Sequence, residues 1–380
     1  MSQNSRAPLR VLHCHSTFSA GGKEVRSVRL MNAFGDAMEH TIVSAEPEAT
    51  GARSLIAPGI AAKFPAGFPS LKGLPTPGRL AALAEALKPY DLVCTYNWGA
   101  MDVAMAHTAF AKPYGLPPLV HHEDGFNEDE AGGLKTRRNL YRRAALRGAS
   151  RVIVPSTGLE QIALGPWAQP PEKVLRIANG IDTAAFAAAP QPAALRVVKR
   201  PGEHWIGTLA GLRPVKQLPL LVRAIVDLPD IWHLVICGEG PERDAIRAAA
   251  EAAEISHRVH LPGAIADPAQ VIGMFDIFAL SSASEQFPLS VVEAMAAGLP
   301  VAAPDVGDIR SMVAEENRPF IAVPDDADAL AAMLSELAGD PPLRARIGAA
   351  NRARARAHYD AAQMIAHYRA AYAAAIGRPF

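Results

Sequence analysis

Ten short apolar runs alternate with longer helical patterns along the chain, and this rhythm constrains the fold more than any other feature. The runs are Arg10–Cys14, His40–Ser44, Leu92–Thr95, Leu119–His122, Val152–Pro155, Trp205–Leu209, His233–Cys237, Val259–Leu261, Ile277–Leu280 and Val301–Ala303. Each is rich in Val, Ile or Leu, and most run into Gly, Ser or Pro within a few positions. Helical patterns lie between them, such as Pro219–Leu228, with proline at the favoured first position, and Glu242–Ala253. Strand, helix, strand in repetition builds parallel sheets covered on both faces, an α/β architecture. Ten strands exceed one comfortable doubly wound sheet, and 380 residues suit two domains of typical size.

The proline-containing stretch 188–203 is the natural linker. It gives a first Rossmann-like domain at 1–187, a second at 204–360, and a last helical pattern, about Ala361–Ile376, within a segment 361–380. That last helix carries Met364, Ile365, Tyr368, Tyr372 and Ala375 along one face. Two facing α/β domains bind ligands where the carboxyl ends of their strands meet, so the site is expected between them.

Composition excludes several classes. Lys+Arg and Asp+Glu are 38 each, so the chain carries no basic excess of the kind that binds nucleic acid in bulk. The three cysteines, Cys14, Cys94 and Cys237, are too few and scattered for a disulfide frame or a thiolate metal site. No apolar run reaches the roughly 18 residues of a membrane span, and the N-terminus does not read as a signal peptide. A cytoplasmic protein is the expectation.

Most of the chemical information lies in Ser281–Pro300, SSASEQFPLSVVEAMAAGLP. A helix from about Pro288 to Ala297, closed by Gly298 and followed by Pro300, fits its punctuation. Glu293 then shares the side of Leu289, where a carboxylate costs energy unless it is hydrogen-bonded. Glu285 precedes the helix, where the N-terminal amides attract an anion such as a phosphate. A lone glutamate reads most simply as a structural or solvated residue; two flanking one helix N-terminus shift the weight toward a site.

This segment resembles the signature of the family 4 retaining glycosyltransferases of GT-B fold: two glutamates with seven residues between them, then EAMAAGLPV. Other family features follow in order across nearly the whole chain. They are a glycine loop at Gly21–Gly22, the Asn179–Asp182 stretch with Phe186, IGTLAGLRPVKQ at Ile206–Gln217, CGEGPER at Cys237–Arg243, and RVHLPG at Arg258–Gly263. The resemblance implies two Rossmann-like domains facing across a cleft, with the C-terminal helix crossing back to the first. It also implies a nucleotide-sugar donor, a glycan or lipid-linked acceptor, retention of anomeric configuration, no cofactor and no metal.

Residue by residue, the resemblance gives Glu293 the ribose hydroxyls, two acceptor positions for two hydroxyls. Glu285 faces the donor sugar near the reacting carbon. The amides around Phe287, Pro288, Leu289 and Ser290 cradle the distal phosphate, Pro288 itself having none to give. Lys216 neutralises the departing diphosphate. The family arginine five residues before that lysine falls here on Gly211, and Arg213 is its expected substitute. The residue after the first glutamate, usually glycine, is Gln286, which leaves the sugar open. The nucleobase is expected near the loop at Gly263, Ala264 and Ile265. In the first domain, the Gly21–Gly22 loop approaches the ligands, with Glu24 supporting the helix behind it. The acceptor-side residue of HHEDGF is His122 in one register and Asp124 in the other. Paired histidines beside two acids also suggest a metal set, which no second cluster supports.

Two motifs have simpler explanations. Asp326-Ala327-Asp328 precedes a helix and reads as a cap. Gly238-x-Gly240 lacks the rest of a dinucleotide fingerprint. Lys135, Arg137, Arg138, Arg142, Arg143 and Arg147 form a basic stretch without an intervening acid, placing Arg138 and Arg142 together with Lys135 near them. It suits an anionic membrane surface or a lipid diphosphate acceptor, or else a solvated helix face. The rival readings of the whole chain are a nucleotide-sugar epimerase of the same architecture and a silent sugar-nucleotide-binding module.

Overall fold

The computed structural model describes residues 7–126, 130 and 133–380. The chain divides into two compact units, the first made of Met1–Ala178 and Met364–Phe380, the second of Asn179–Gln363. Each contains one sheet in which every pairing is parallel.

The first sheet holds β1 (Leu9–His15), β2 (Met38–Ser44), β3 (Ala62–Lys63), β4 (Leu92–Tyr96), β5 (Leu119–His122), β6 (Arg151–Val154) and β7 (Val174–Arg176), in the order β3-β2-β1-β4-β5-β6-β7. The chain runs outward from β1 to β3, then restarts at β4 and runs outward on the other side. The carboxyl ends of β1 and β4 therefore flank a topological switch point, where a crevice opens because the loops part in opposite directions. The second sheet repeats the plan with β8 (His204–Leu209), β9 (Trp232–Cys237), β10 (Val259–Gly263), β11 (Ile277–Ala279), β12 (Val301–Pro304) and β13 (Ile321–Ala322), ordered β10-β9-β8-β11-β12-β13. Its switch point lies between β8 and β11.

All ten expected strands are present, with no end shifted by more than two residues. The three additional ones, β3, β7 and β13, are two or three residues long and sit at sheet edges, too short to carry a hydrophobic period. The helix at Leu218–Ala224 stops short of the expected Leu228, and the next runs over Arg243–Ala252. The final helix occupies Ala361–Ile376, and it covers one face of the first sheet. Met364, Tyr368 and Tyr372 are buried there with Val11, Phe34 and Tyr96. Each buried large side chain contributes about 1.5–3 kcal/mol, which ties the C-terminus to the first unit.

Residues 179–187 belong with the second unit for visible reasons. Ile181 bridges Asp360, Thr183 Oγ1 donates to Asp360 Oδ2 at 2.5 Å, and Asp182 caps the short helix Thr183–Ala187 through the amides of Ala184 and Ala185.

Candidate functional site

In the second unit, the switch point fixes the first group of candidate residues. After β8 the chain makes a short turn at Pro214–Lys216; after β11 it enters the loop at 280–288. The two loops are joined by backbone and side chain. Ala283 N donates to Val215 O at 2.9 Å, and Ser281 Oγ donates to Lys216 O at 2.8 Å. This brings Lys216 Nζ to 2.5 Å from Glu285 Oε1, which also accepts from Ser282 Oγ at 2.7 Å. Both side chains are mostly but not wholly covered, at 15% and 11% exposure, so the ion pair sits at the floor of the crevice with one edge open.

The signature helix spans Leu289–Ala297, one residue shorter than expected. Pro288 is its N-cap, with extended dihedrals, and no side chain caps the helix. An uncapped N-terminus keeps its orphan amides and positive dipole end available to an anion. Leu289, Ser290 and Glu293 are half-buried, whereas Val291, Val292, Ala294 and Met295 are fully buried. Glu293 thus lies on the helix side that is not sealed into the core. Phe287 packs edge-on against Tyr359, with ring centroids 5.7 Å apart.

Arg213 is exposed, and its side chain folds back over Gly211. A methyl group added to Gly211 would stand 3.6 Å from Arg213 Nε. The guanidinium stem therefore lies over the position where the family arginine is absent. The loops after β8, β9 and β10 are also laced together. Leu212 N donates to Glu239 O, Ala210 N to Cys237 O, and Gly238 N to Gly263 O. Gly238 and Gly240 have left-handed φ values of +157° and +155°, and any side chain there would strike the carbonyls of Ala210 and Leu212. Close backbone approach explains that glycine pair. Gly263 is buried at the end of β10 and Ala264 is exposed just beyond.

Sequence reasoning missed the support beneath Glu285. Gly307 lies at φ +59°, and its Cα side faces Glu285 O and Gln286 O so closely that a methyl group would stand 2.5 and 2.7 Å from them. Asp308 N donates to Gln286 O at 3.1 Å. A Val-Gly-Asp turn between two unremarkable elements carries little signal of such a role.

In the first unit, the crevice between β1 and β4 is bordered by a charged cluster. Gly21 caps the helix Gly22–Phe34 without a side-chain hydrogen bond. Its φ of −97° suits any residue; what keeps it small is Glu24 Oε2, 2.8 Å from where a Cβ would stand. Buried Glu24 accepts from Thr17 Oγ1 at 3.3 Å and pairs with Lys23. Arg26, also buried, makes a two-pronged ion pair with Asp124, with Nη2 to Oδ2 at 2.8 Å. Burial opposes the Arg26 charge, but Asp124 more than compensates and raises its pKa.

The two registers of HHEDGF separate here. His122 is fully buried: its Nδ1 lies 3.2 Å from Thr95 O, its Nε2 lies 2.9 Å from Tyr372 Oη, and its ring stacks on Tyr96. Asp124 keeps 14% of its side chain exposed. His121 is buried with Nδ1 on Thr95 Oγ1, and His13, His15 and His40 are buried alongside. Burial, as the largest cause, drives the pKa values of His13, His15 and His122 well below the usual histidine range, and that of His40 to about 4.

The basic stretch does not present one uniform face. Arg142 is fully buried, enclosed by Trp98, Phe126 and Trp167, and donates to both oxygens of Glu130 at 3.0 and 2.8 Å. Arg138 also reaches Glu130, at 3.0 Å, and lies over Trp98. Arg142 therefore cannot meet a membrane surface, while Lys135, Arg137, Arg143 and Arg147 remain exposed. Among the described residues no helix is long and apolar enough to cross a membrane. The Asp326 side chain caps its helix by accepting from Ala329 N at 2.8 Å.

The family described as "Glycosyl transferases group 1" matches residues 196–354, and "Glycosyl transferase 4-like domain" matches residues 21–180. The chain belongs to the family 4 glycosyltransferases of GT-B fold. It is 28% identical over 258 residues to a GDP-mannose-dependent alpha-mannosyltransferase of Mycolicibacterium smegmatis, an alignment spanning 65% of each chain. It is 26% identical to a D-inositol 3-phosphate glycosyltransferase of Kribbella flavida, over 88% of this chain and 86% of the relative. The fold matches the structure of Anabaena HepE in complex with UDP, with a TM-score of 0.81 at 20% identity, over 96% of this chain and 100% of that one.

Proposed function

We propose that this glycosyltransferase transfers a sugar from a nucleoside-diphosphate donor, of the UDP or GDP series, to a glycan or lipid-linked acceptor in cell-surface polysaccharide or glycolipid synthesis, with retention of configuration and without a metal. The observation that carries the reading is the convergence of Lys216 and Glu285 beside the uncapped N-terminus of the 289–297 helix at the second unit's switch point. A cation, a carboxylate and a set of open amides suit a diphosphate leaving group next to a reacting sugar. Relatives support a nucleotide donor: one is named for GDP-mannose dependence, and a structural neighbour was captured with UDP.

In this reading Glu293 holds the ribose hydroxyls from the half-buried side of the helix. Phe287, Leu289 and Ser290 offer amides to the distal phosphate, and Lys216 and Arg213 neutralise the charge that develops as the diphosphate departs. Gly263 and Ala264 border the nucleobase, and Gln286 takes a sugar hydroxyl. Gly21 and Gly22 admit the ligands in the first unit. Of the two acceptor-side alternatives, Asp124 fits better than His122, because His122 is enclosed in the core whereas Asp124, though paired with Arg26, keeps one edge of its side chain exposed. The acceptor hydroxyl attacks the anomeric carbon on the face the diphosphate leaves. The departing phosphate oxygen takes its proton, so the sugar–phosphate bond breaks as the glycosidic bond forms.

The test is the anomeric proton of the product. Its NMR coupling should match that of the donor sugar, with turnover unchanged in EDTA. Lys216→Ala should lower kcat by about 10²–10³-fold, the scale for removing a preorganised group from developing charge. An inverted product, loss of turnover in EDTA, or a Lys216→Ala enzyme of normal kcat would overturn the reading.

A further inference from the structure

The second unit contains a groove of about 580 Å³ away from its switch point. One wall is β10, whose residues 259–262 all line it. The other is the helix Arg243–Ala252. Arg243 opens that helix and Ser256 lies beyond its end, and both line the groove. The helix has 10 residues and measures about 15 Å. The groove therefore runs along the flank of the sheet rather than across the carboxyl ends of its strands.

β10 is the last strand of its sheet. It pairs with β9 on one side, and among the described residues no strand pairs with the other. An unpaired edge offers backbone donors and acceptors to an added strand. The space suits one. A strand of four residues, about 13 Å long, 4.8 Å wide and 10 Å thick, fills about 630 Å³. Pro262 has no amide to give, and the pairing of β9 with β10 shifts register between His260 and Gly263, so a short partner fits better than a long one.

The walls set three arginines, Arg196, Arg243 and Arg247, against one acid, Glu251. Arg196 is exposed and, among the described residues, has no ion-pair partner. Arg247 reaches Asp244 at 3.6 Å, but that aspartate is 93% exposed. Arg243 donates to Leu261 O at 2.8 Å and lies 3.4 Å from Glu239. Ion pairs in open solvent hold little energy, so the charges of Arg196 and Arg247 stay available to a ligand. Val197 and Ala250 add a small apolar surface between them.

We propose that this groove binds a short acidic segment of a partner protein, which adds as a strand to the free edge of β10. Backbone hydrogen bonds to β10 seat the segment, its carboxylates meet Arg196 and Arg247, and alternate small apolar side chains pack over Val197 and Ala250. The groove shares no lining residue with the proposed donor site, so the inference stands apart from the glycosyltransferase reading.

Fluorescence anisotropy on the full chain tests this. The probe is fluorescein-labelled EVEVE, an acidic peptide of strand-forming pattern. Its controls are KVKVK, EVEVE N-methylated at both valines, and tripolyphosphate. Saturable binding of EVEVE is expected, weakening as salt is raised, with no binding of KVKVK. The N-methylated peptide keeps every charge but loses two backbone donors, and should bind about tenfold more weakly. Arg196→Gln should cost about tenfold, the scale of one charge-assisted hydrogen bond, and the double variant with Arg247→Gln about a hundredfold. Both side chains are exposed, and unchanged melting curves would show that the variants are folded. No saturable binding of EVEVE by the folded wild type overturns the proposal, as does full affinity in the double variant. Equal binding of the N-methylated peptide, or its displacement by tripolyphosphate at equal concentration, would reveal a plain anion site and overturn it too. Saturating UDP or GDP should leave the EVEVE complex intact; displacement by either would assign the groove to the donor site and overturn the partner.

Discussion

Gly307→Ala is the perturbation that separates the architecture of the site from its chemistry, because Gly307 touches no ligand position itself. Two costs can be worked out. The residue sits at φ +59°, and a left-handed alanine costs about 1–2 kcal/mol. The added methyl would stand 2.5 Å from Glu285 O, where ordinary contact begins at 3.4 Å, so the loop must retreat by about 0.9 Å. Glu285 sits in that loop and moves with it, away from Lys216. Misplacement of a reacting group by about 1 Å costs roughly 10²-fold in rate. The variant should therefore remain folded, melt a few degrees lower, and lose about two orders of magnitude in kcat. Gly339→Ala is the control in the same unit: it closes a helix, has no atom within 4 Å of a new methyl, and should be neutral or slightly stabilising. Steady-state kinetics on both proteins, with melting curves, decide the matter. Wild-type kcat in Gly307→Ala would refute the claim that this turn positions Glu285.

Acid should destabilise the first unit. His13, His15, His40 and His122 are held neutral by burial, with folded pKa values below the unfolded value of about 6.5. Their contribution is complete above pH 6.5 and is lost as pH falls, for His40 down to about 4, because the unfolded chain binds protons that the folded one refuses. Each costs about 1.4 kcal/mol per pH unit within its window. Melting curves from pH 8 to pH 5 should fall steeply below 6.5, and less steeply in His40→Gln; a flat profile would contradict the assignment. Arg142→Met should destabilise by about 3 kcal/mol in denaturant titrations, because Glu130 and Glu123 would lose their buried counter-charge. Exposed Arg143→Met should stay within about 0.5 kcal/mol, and equal effects of the two would be inconsistent with the observed burial.

What the sequence revealed and what it hid follow from the range of the interactions. Buried parallel strands are written as local apolar runs, so ten of them were legible, as was the final helix through its Met364, Tyr368 and Tyr372 face. The edges β3, β7 and β13 were not, since pairing with a neighbour rather than local pattern defines a two- or three-residue strand. The proposed site residues Glu285, Lys216 and Glu293 lie in contiguous motifs, so they could be named as candidates from the sequence. The Arg26–Asp124 pair spans 98 residues, and the contact between Gly307 and the Glu285 loop is between backbones, so neither leaves a local trace. The burial of His122 was hidden for a related reason. A strand-end histidine in a polar run reads as accessible, and only the returning helix, about 250 residues later, supplies the Tyr372 that encloses it.

The central claim, that the second unit binds a nucleotide sugar through Glu285, Lys216 and Glu293, is tested most directly by a thermal-shift panel of UDP- and GDP-sugars, run in EDTA and repeated on Glu293→Ala. A ligand at 100 times its Kd adds about 2.7 kcal/mol to the folded state. One nucleotide series should raise Tm by several degrees, with no effect of EDTA and with the shift abolished in Glu293→Ala. A folded protein that shows no shift with either series, or an equal shift in the variant, would contradict the account.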